Sequence, residues 1–262
     1  MQSARDLYSK IKSLAFGSLS TLLFFVIWYA ASATGLLNDG LIPDPVSVVL
    51  KLFRNVFTGD LFSKHILLSF RRAGIGFLAS GAVGLFLGCF LKILPEKLRM
   101  IFMPVLQLFE KLNPLALFPV FMLFFGIGEM SKVMIVFCVS VWQIAFHTLA
   151  GLMNVDPVLI KSARAMGASR FVLFWRVYFP AALPDIFGGI KFGAQTAFVF
   201  IVTVEMLSSS AGLGWFLQNA KTRYDLRDLY SSVIIVALIG IFISKILTHI
   251  EVRLFSWKEK VL

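Results

Sequence analysis

Long apolar runs separated by short polar segments dominate the chain. Each run is long enough to cross a hydrocarbon core about 30 Å thick, because a helix rises about 1.5 Å per residue. The runs cover residues 14–33, 73–93, 102–127, 131–150, 185–207 and 229–249. The pattern therefore predicts an all-α integral membrane protein with six transmembrane helices.

The first run has a second interpretation. Basic residues precede it and it ends in Ala31-Ser32-Ala33, which resembles a secretory signal peptide with its cleavage site. The apolar part of such a peptide covers about 7–15 residues, and this run is longer. Its length favours a retained membrane helix.

The segment after the first run is amphipathic. Asp44 can cap a helix, and Pro45 suits its first turn. The apolar positions that then recur at helical spacing are Val46, Val49, Leu50, Phe53 and Phe57. We expect a helix that lies on the outer membrane surface.

Composition confines the chain to the membrane class. It is 58% hydrophobic and 15% charged, whereas soluble domains are about 45–50% apolar and about 25% charged. The net charge of +11 does not indicate a nucleic-acid-binding or disordered chain, because such chains are poor in apolar residues. Cys89 and Cys138 both lie in apolar runs, which excludes a CxxC motif.

The positive charge indicates an orientation, because cytoplasmic loops collect Lys and Arg. With both termini inside, the inner segments hold thirteen of the 25 basic residues and the outer segments nine. This N-in/C-in topology predicts a cytoplasmic N-terminus, a first transmembrane helix, an outer segment, a five-helix core and a cytoplasmic tail. These are residues 1–13, 14–33, 34–72, 73–249 and 250–262.

The polar segment 151–184 contains too many helix signals for a simple connection. Asp156-Pro157 can begin a helix and Gly167 can end it. Ser169 can cap a second helix that runs from Arg170 to Pro180. The predicted helix–turn–helix suits docking into a groove of another protein.

This segment resembles a known motif. The run Lys161-Ser162-Ala163-Arg164-Ala165-Met166-Gly167 is followed, after nine residues, by Val177-Tyr178-Phe179-Pro180. It is similar to the EAA loop, E-A-A-x3-G-x9-I-x-L-P, of the membrane subunits of bacterial ATP-binding-cassette (ABC) importers. Gly167 and Pro180 stand at the family's spacing, whereas Lys161 replaces the family's Glu.

Further stretches extend the resemblance over nearly the whole chain. They are similar to the nitrate, sulfonate, taurine and bicarbonate subfamily of these permeases. The stretches are Ile42-Pro43-Asp44-Pro45, Asn113-Pro114-Leu115-Ala116, Phe125-Gly126-Ile127-Gly128-Glu129, Gly167-Ala168-Ser169-Arg170, Ala182-Leu183-Pro184, Val204-Glu205-Met206 and Gly212-Leu213-Gly214.

The resemblance implies a type I importer permease in the bacterial inner membrane, with a coupling loop at residues 156–184. Two permease copies, as a homodimer, would assemble with two cytoplasmic ATPase subunits and an extracytoplasmic solute-binding protein. The residues implied in ATPase coupling are Lys161, Ser162, Ala163, Arg164, Gly167, Ala168, Ser169, Arg170 and Pro180.

No ATP site is expected in this chain. A G-x-x-x-x-G-K-[ST] loop, which would hold ATP phosphates, is absent from the sequence. ATP and Mg²⁺ are therefore expected in the partner ATPase. We also expect no catalytic residue, metal site, bound cofactor or nucleic-acid partner, and contact with membrane lipid.

Four polar residues are candidates for the translocation path or its gate: Glu110, Lys111, Asn113 and Glu205. Unpaired charge in hydrocarbon costs about 2.5 kcal/mol or more, so such side chains face a partner or a cavity. The alternative makes Glu110 and Lys111 a self-compensated pair near the interface, and gives Glu205 a structural partner on a neighbouring helix.

The substrate and the transport class each have alternatives. Lys111 and the resemblance favour a small oxyanion such as nitrate, a sulfonate, taurine or bicarbonate. Relatives of this kind also carry thiamine-precursor pyrimidines or aromatic compounds. A secondary transporter would need a relay of buried carboxylates, for which Glu110 and Glu205 alone qualify. No HExxH or paired-carboxylate constellation favours an integral-membrane enzyme.

Overall fold

The computed structural model describes residues 23, 25–34, 41–57 and 61–255. Within these residues the chain forms helices and turns and no strand. The predicted N-terminal segment 1–13 lies outside the described residues, and so do the start of the first predicted helix and residues 256–262 of the predicted tail.

The helices are numbered in chain order. They are α1 (25–33), α2 (Pro45–Phe57), α3 (Leu67–Ile93), α4 (Glu96–Lys111), α5 (Phe118–Phe125), α6 (Glu129–Met153), α7 (Pro157–Ala165), α8 (Arg170–Leu173), α9 (Phe179–Ser208), α10 (Leu213–Thr222) and α11 (Leu226–Leu254). π-helical turns at Leu61–Ile66 and Phe174–Tyr178 precede α3 and α9.

Four helical runs of the described chain are long and apolar enough to cross a membrane. They are Ser63–Ile93, Glu129–Met153, Arg170–Ser208 and Leu226–Leu254. These runs match the second, fourth, fifth and sixth predicted spans. The count of six spans and the N-in/C-in orientation stay predictions.

The third predicted span, 102–127, is not one helix. It is broken between α4 and α5, where Pro114 supplies no N–H for a helical hydrogen bond. The Asn113 side-chain oxygen instead accepts the Leu115 N–H at 3.0 Å. The apolar run 102–127 therefore forms parts of two helices, α4 and α5, rather than one.

The described chain divides into two compact units. In the unit that contains residues 41–61 and 217–235, Asp44 accepts the Ser47 N–H at 3.0 Å and caps α2 as predicted. On the polar face of α2, Asn55 donates to Asp228 at 2.7 Å and Lys51 lies 3.4 Å from the same carboxylate. The apolar face is exposed, and the position of α2 on the outer membrane surface stays a prediction.

The other unit contains the described residues of 62–216 and 236–262, and in it α6 packs against both α3 and α9. Small residues allow the close approach of α3 to α6. A Cβ on Gly84 would lie 2.8 Å from the Val141 carbonyl oxygen, and one on Gly88 would lie 2.5 Å from Thr148 Cβ. Gly81, in contrast, faces open space.

The second helix of the polar segment and the fifth span are continuous. The helical run extends from Arg170 to Ser208, so the predicted end at Pro180 is wrong. The π-helical turn Phe174–Tyr178 directly precedes this part of the chain. Pro180 has no N–H, so the Arg176 carbonyl in this turn lacks its usual α-helical donor. π-helical turns are one of the local adjustments found beside such interruptions.

Candidate functional site

The helix–turn–helix of segment 154–180 forms as its sequence predicts. Asp156 accepts the Val158 N–H at 2.8 Å and caps α7. At the other end, the Gly167 N–H donates to the Arg164 carbonyl at 3.0 Å, and the Ala168 N–H donates to Ala163 at 3.1 Å. This bond pair is a Schellman motif. Gly167 has φ +80°, a conformation that glycine adopts without a Cβ clash.

The segment presents a basic surface. Of the residues predicted to couple to an ATPase, Ala163 is buried and Ala168 is half-buried. The exposed ones are Lys161, Ser162, Arg164, Gly167, Ser169, Arg170 and Pro180. The turn at Gly167 has open space around its Cα, so a partner can approach the backbone there.

A hydrophobic cluster connects this surface to the membrane helices. Leu152 at the end of α6 and Ala182 and Ile186 in α9 form its buried part. Ile160 of α7 and Tyr178 pack against them. These contacts pack α7 against the ends of α6 and α9.

Glu205 lies at the opposite end of α9 and is fully buried. Its carboxylate accepts Ser69 Oγ at 2.7 Å, the Gly214 N–H at 3.1 Å and Arg72 Nη1 at 2.6 Å. These contacts are of the kind that the structural interpretation of Glu205 predicts, and its role at the gate stays a prediction.

Arg72 joins a second carboxylate to this cluster. Its Nε and Nη2 donate to the two oxygens of Glu129 at 2.6 and 2.5 Å, while Nη1 donates to Glu205. Lys132 lies 3.6 Å from Glu129. Arg72, Glu129 and Glu205 stand on α3, α6 and α9, so the ion-pair cluster ties three helix ends together.

The same cluster holds the turn that follows α9. Arg72 Nη1 donates to the Ala211 carbonyl at 2.8 Å, and Ser69 Oγ accepts the Leu213 N–H at 2.9 Å. A Cβ on Gly212, which has φ +120°, would strike the Glu205 carboxylate. The turn is therefore held by hydrogen bonds, and α10 follows it.

Sequence reasoning missed Arg72 because it counted this residue as an outer-loop charge before a span starting at 73. The helix starts earlier, at Leu67, since the arginine is neutralised inside the bundle. A signal was present in the spacing. Ser69, Arg72 and Gly76 stand three and four residues apart, on one helix face.

The other candidate path residues lie at the end of α4. Lys111 Nζ is 3.8 Å from Glu110 Oε2, and the Lys111 side chain is 78% exposed. Glu110 faces a cavity of about 420 Å³ between α4 and α6, which Arg99 and Gln107 also line. Asn113 lies in the turn between α4 and α5, where its side-chain oxygen accepts the Leu115 N–H. The four candidates thus occupy separate environments: the buried cluster, this cavity, an exposed surface and a turn.

The described residues contain no group of three or more His, Cys, Asp or Glu side chains that could hold a metal ion.

Comparison with known proteins identifies the family. Residues 81–256 match the family described as "Binding-protein-dependent transport system inner membrane component". A probable ABC transporter permease protein of Brucella abortus (strain 2308) is 30% identical over 96% of this chain and 99% of its own length.

Two further relatives have named substrates. The taurine transport system permease protein of Escherichia coli (strain K12) is 28% identical over 97% of this chain and 92% of its own length. The formylaminopyrimidine transport permease protein of Halalkalibacterium halodurans is 26% identical over 93% of this chain and 96% of its own length.

Solved structures share the fold. A chain of the MetNI methionine ABC transporter, in an inward-facing conformation, gives a TM-score of 0.64 at 17% identity and covers 71% of this chain and 93% of that one. A chain of a bacterial alginate ABC transporter in complex with alginate pentasaccharide-bound periplasmic protein gives 0.61 at 15% identity, covering 94% and 96%. The matched profile spans two thirds of the chain, the apolar helices have the lengths a membrane requires, and the chain belongs to the binding-protein-dependent inner-membrane transport components.

Proposed function

We propose that this permease passes a small oxyanion across the membrane and that its segment 156–184 couples it to separate ATPase subunits. Family membership establishes the coarser statement. The chain is the permease component of an ABC importer, a multi-pass protein of the inner membrane, and a transport subunit rather than an enzyme. The coupling surface, the path and the substrate are the proposal.

One observation carries the coupling proposal: a rigid, basic helix–turn–helix is packed onto the ends of two spans. Lys161, Arg164 and Arg170 are exposed on it. Its base packs against Leu152 and Ile186 through the hydrophobic cluster. When the ATPases close on ATP, they would displace α7, and close packing would carry that displacement into α6 and α9.

The partners follow from the same mechanism. We propose two cytoplasmic ATPase subunits, which hold ATP and Mg²⁺, a second copy of this permease, and an extracytoplasmic solute-binding protein. The family description names dependence on a binding protein, and the alginate transporter chain was solved with its periplasmic protein. This arrangement places segment 156–184 and both termini in the cytoplasm.

The candidate path residues take different roles in this proposal. Glu110 faces the cavity between α4 and α6, and exposed Lys111 and Asn113 follow it, so these three are proposed to line the path. Glu205 acts on the gate indirectly. Its carboxylate fixes the turn after α9 through protein donors, and it does not offer a free oxygen to a solute.

An oxyanion substrate is supported by the taurine relative and by the exposed ammonium of Lys111. The formylaminopyrimidine relative supports the alternative of a thiamine-precursor pyrimidine. Calorimetry on the solute-binding protein encoded beside this chain separates the two. Binding of a sulfonate supports the first, and a ligand without negative charge overturns it.

The coupling proposal is tested with two matched glycine variants in a reconstituted transporter. Gly167 and Gly126 have φ of +80° and +77°, and each has open space around it. Asp at Gly126 imposes at least as much backbone strain as Asp at Gly167, because ψ 171° places Gly126 in a region that glycine alone adopts readily. Gly167→Asp should reduce ATP hydrolysis stimulated by the loaded binding protein more than tenfold, because it distorts the docking turn. Gly126→Asp should retain that stimulation.

Both variants must first be found in the membrane fraction at wild-type amounts. Stimulated hydrolysis that is unchanged in Gly167→Asp contradicts the coupling role. An equal loss in both variants also contradicts it, because the effect would then come from strain rather than from the docking turn.

A further inference from the structure

A large cavity lies between the end of α3 and the segment that contains α7 and α8. Its volume is about 950 Å³. The walls are mostly apolar and aromatic, and they include Phe86, Trp175 and Tyr178. Arg164 and Arg170 belong both to the proposed docking surface and to this cavity, whereas its other lining residues have no part in the proposed path or docking surface.

Three cations line the same cavity: Lys92, Arg164 and Arg170. None of the lining residues carries a carboxylate, and these three form no ion pair within the described part of the chain. Lys92 Nζ lies 4.6 Å from the centroid of the Tyr178 ring and 3.6 Å from Met153 Sδ. Those contacts orient the ammonium but leave its charge uncompensated by an anion.

The cavity lies at the ends of two helical runs that are long enough to cross a membrane, which is where lipid headgroups would lie. Lys92 stands in the last turn of α3, a helix long enough to cross the membrane, and Arg170 begins the helical run of the fifth span. Trp175 is 51% exposed, and such amphipathic rings favour the membrane–water interface. Phe86, nearly two turns earlier on α3, is 68% exposed.

We propose that this cavity binds an anionic phospholipid. Its phosphate would lie among Lys92, Arg164 and Arg170, and an acyl chain would follow Phe86 and the apolar wall of α3. Basic pockets beside transmembrane helices bind anionic headgroups in this way. Small-molecule sites have volumes of about 300–1,000 Å³, and this cavity lies at the upper end of that range. It is large enough for a headgroup and the first part of an acyl chain.

A bound lipid would connect the end of α3 to the coupling segment. The phosphate would bridge Lys92 of α3 and Arg164 of α7, so the lipid would stiffen the base of the docking surface. This regulatory consequence rests on the proposed coupling function. The binding itself does not.

The test uses the full-length permease in bilayer nanodiscs, with Trp175 as the reporter. Brominated phosphatidylglycerol and brominated phosphatidylcholine are titrated separately into an unlabelled phosphatidylcholine bilayer. The Trp175 signal is the difference between the wild type and Trp175→Phe. We expect half-maximal quenching at an at least tenfold lower mole fraction of phosphatidylglycerol than of phosphatidylcholine.

Lys92→Gln removes one of the three cations without altering the docking surface. It should raise the mole fraction of phosphatidylglycerol needed for half-maximal quenching about fivefold. The control is Lys245→Gln, which removes an exposed charge of α11 that does not line the cavity and should leave the titration unchanged.

Equal quenching by the two lipids overturns the proposal, and so does an identical shift in Lys92→Gln and Lys245→Gln. The result is independent of the coupling test. If Gly167→Asp retains stimulated hydrolysis while the lipid preference is present, the coupling function fails and the lipid site stands. If the lipid preference is absent while Gly167→Asp loses stimulated hydrolysis, the lipid site fails and the coupling function stands.

Discussion

Arg72 Nη1 lies 2.6 Å from Glu205 Oε1, and the two side chains are 4% and 0% exposed. The pair joins α3 to α9, and Glu129 extends it to α6. Desolvation costs each buried ion several kcal/mol, so a pair of this kind contributes little net stability when intact. Removal of one partner is expensive, because the other charge then stays buried alone.

Arg72→Met should therefore destabilise the permease by about 3–5 kcal/mol, because Glu205 keeps a buried, uncompensated carboxylate. The measurement is the free energy of unfolding in detergent. The matched control is Arg71→Met, whose side chain is 62% exposed and 3.7 Å from Glu129, and which should cost at most about 1 kcal/mol.

The double variant Arg72→Met/Glu205→Leu removes both charges and should recover much of the stability lost in Arg72→Met. A double variant no more stable than Arg72→Met would show that the destabilisation comes from lost packing and not from the unpaired carboxylate.

The basic docking surface predicts salt-sensitive assembly. Lys161→Glu reverses an exposed charge of α7, so the affinity of the permease for its ATPase subunit should fall and the dependence of that affinity on salt should weaken. Affinity is measured by titration of the purified ATPase at two ionic strengths. Arg253→Glu, a reversal at an exposed position of α11, should bind as the wild type does. Equal losses in the two variants would mean that net charge, and not the docking surface, governs assembly.

The Asp225 carboxylate, directly before α11, is expected to stabilise the fold in a way that depends on pH. Its carboxylate accepts the Asp228 N–H at 3.1 Å and lies 3.7 Å from Lys51. Burial raises the pKa of Asp225. The Asp228 N–H and the Lys51 charge together lower it by more than burial raises it, so the pKa lies below its usual value. The stabilisation is therefore fully present above the unfolded pKa of about 3.9 and is lost as the pH falls through the folded pKa.

Asp225→Asn should be less stable than the wild type at neutral pH, and that difference should shrink as the pH falls below about 4. The measurement is the unfolding midpoint of both proteins across this range. A difference that stays constant with pH would show that the carboxylate charge does not contribute.

The sequence predicted the helix caps and turns that form through contacts between residues close together in the chain. The caps at Asp44 and Asp156 and the Gly167 turn form as expected, because each uses hydrogen bonds within a few residues. The candidate site was predicted less well. Arg72 meets Glu129 and Glu205 across 57 and 133 positions of sequence, and no local pattern encodes such a pairing.

The interior of the third predicted span shows a related limit of hydropathy. Hydropathy alone makes 102–127 one apolar run, since it does not register that Pro114 lacks an N–H.

The glycines of the second span show the same limit of sequence patterns. Composition marks Gly74, Gly81, Gly84 and Gly88 alike as packing positions, but a helix face can be chosen only when the partner helix is known. Gly84 and Gly88 face α6, whereas Gly74 and Gly81 face open space.

That difference gives a matched pair of variants within one helix. A Cβ on Gly88 would lie 2.7 Å from the Ala145 carbonyl oxygen, a backbone atom that cannot move unless α3 and α6 separate. Gly88→Ala should therefore cost about 1–3 kcal/mol of unfolding free energy, as overpacking does. Gly81→Ala meets nothing within 4 Å and should gain about 0.5–1 kcal/mol, because alanine loses less backbone entropy in a helix. If the two variants unfold at the same midpoint, α3 and α6 do not approach as closely as their glycines allow.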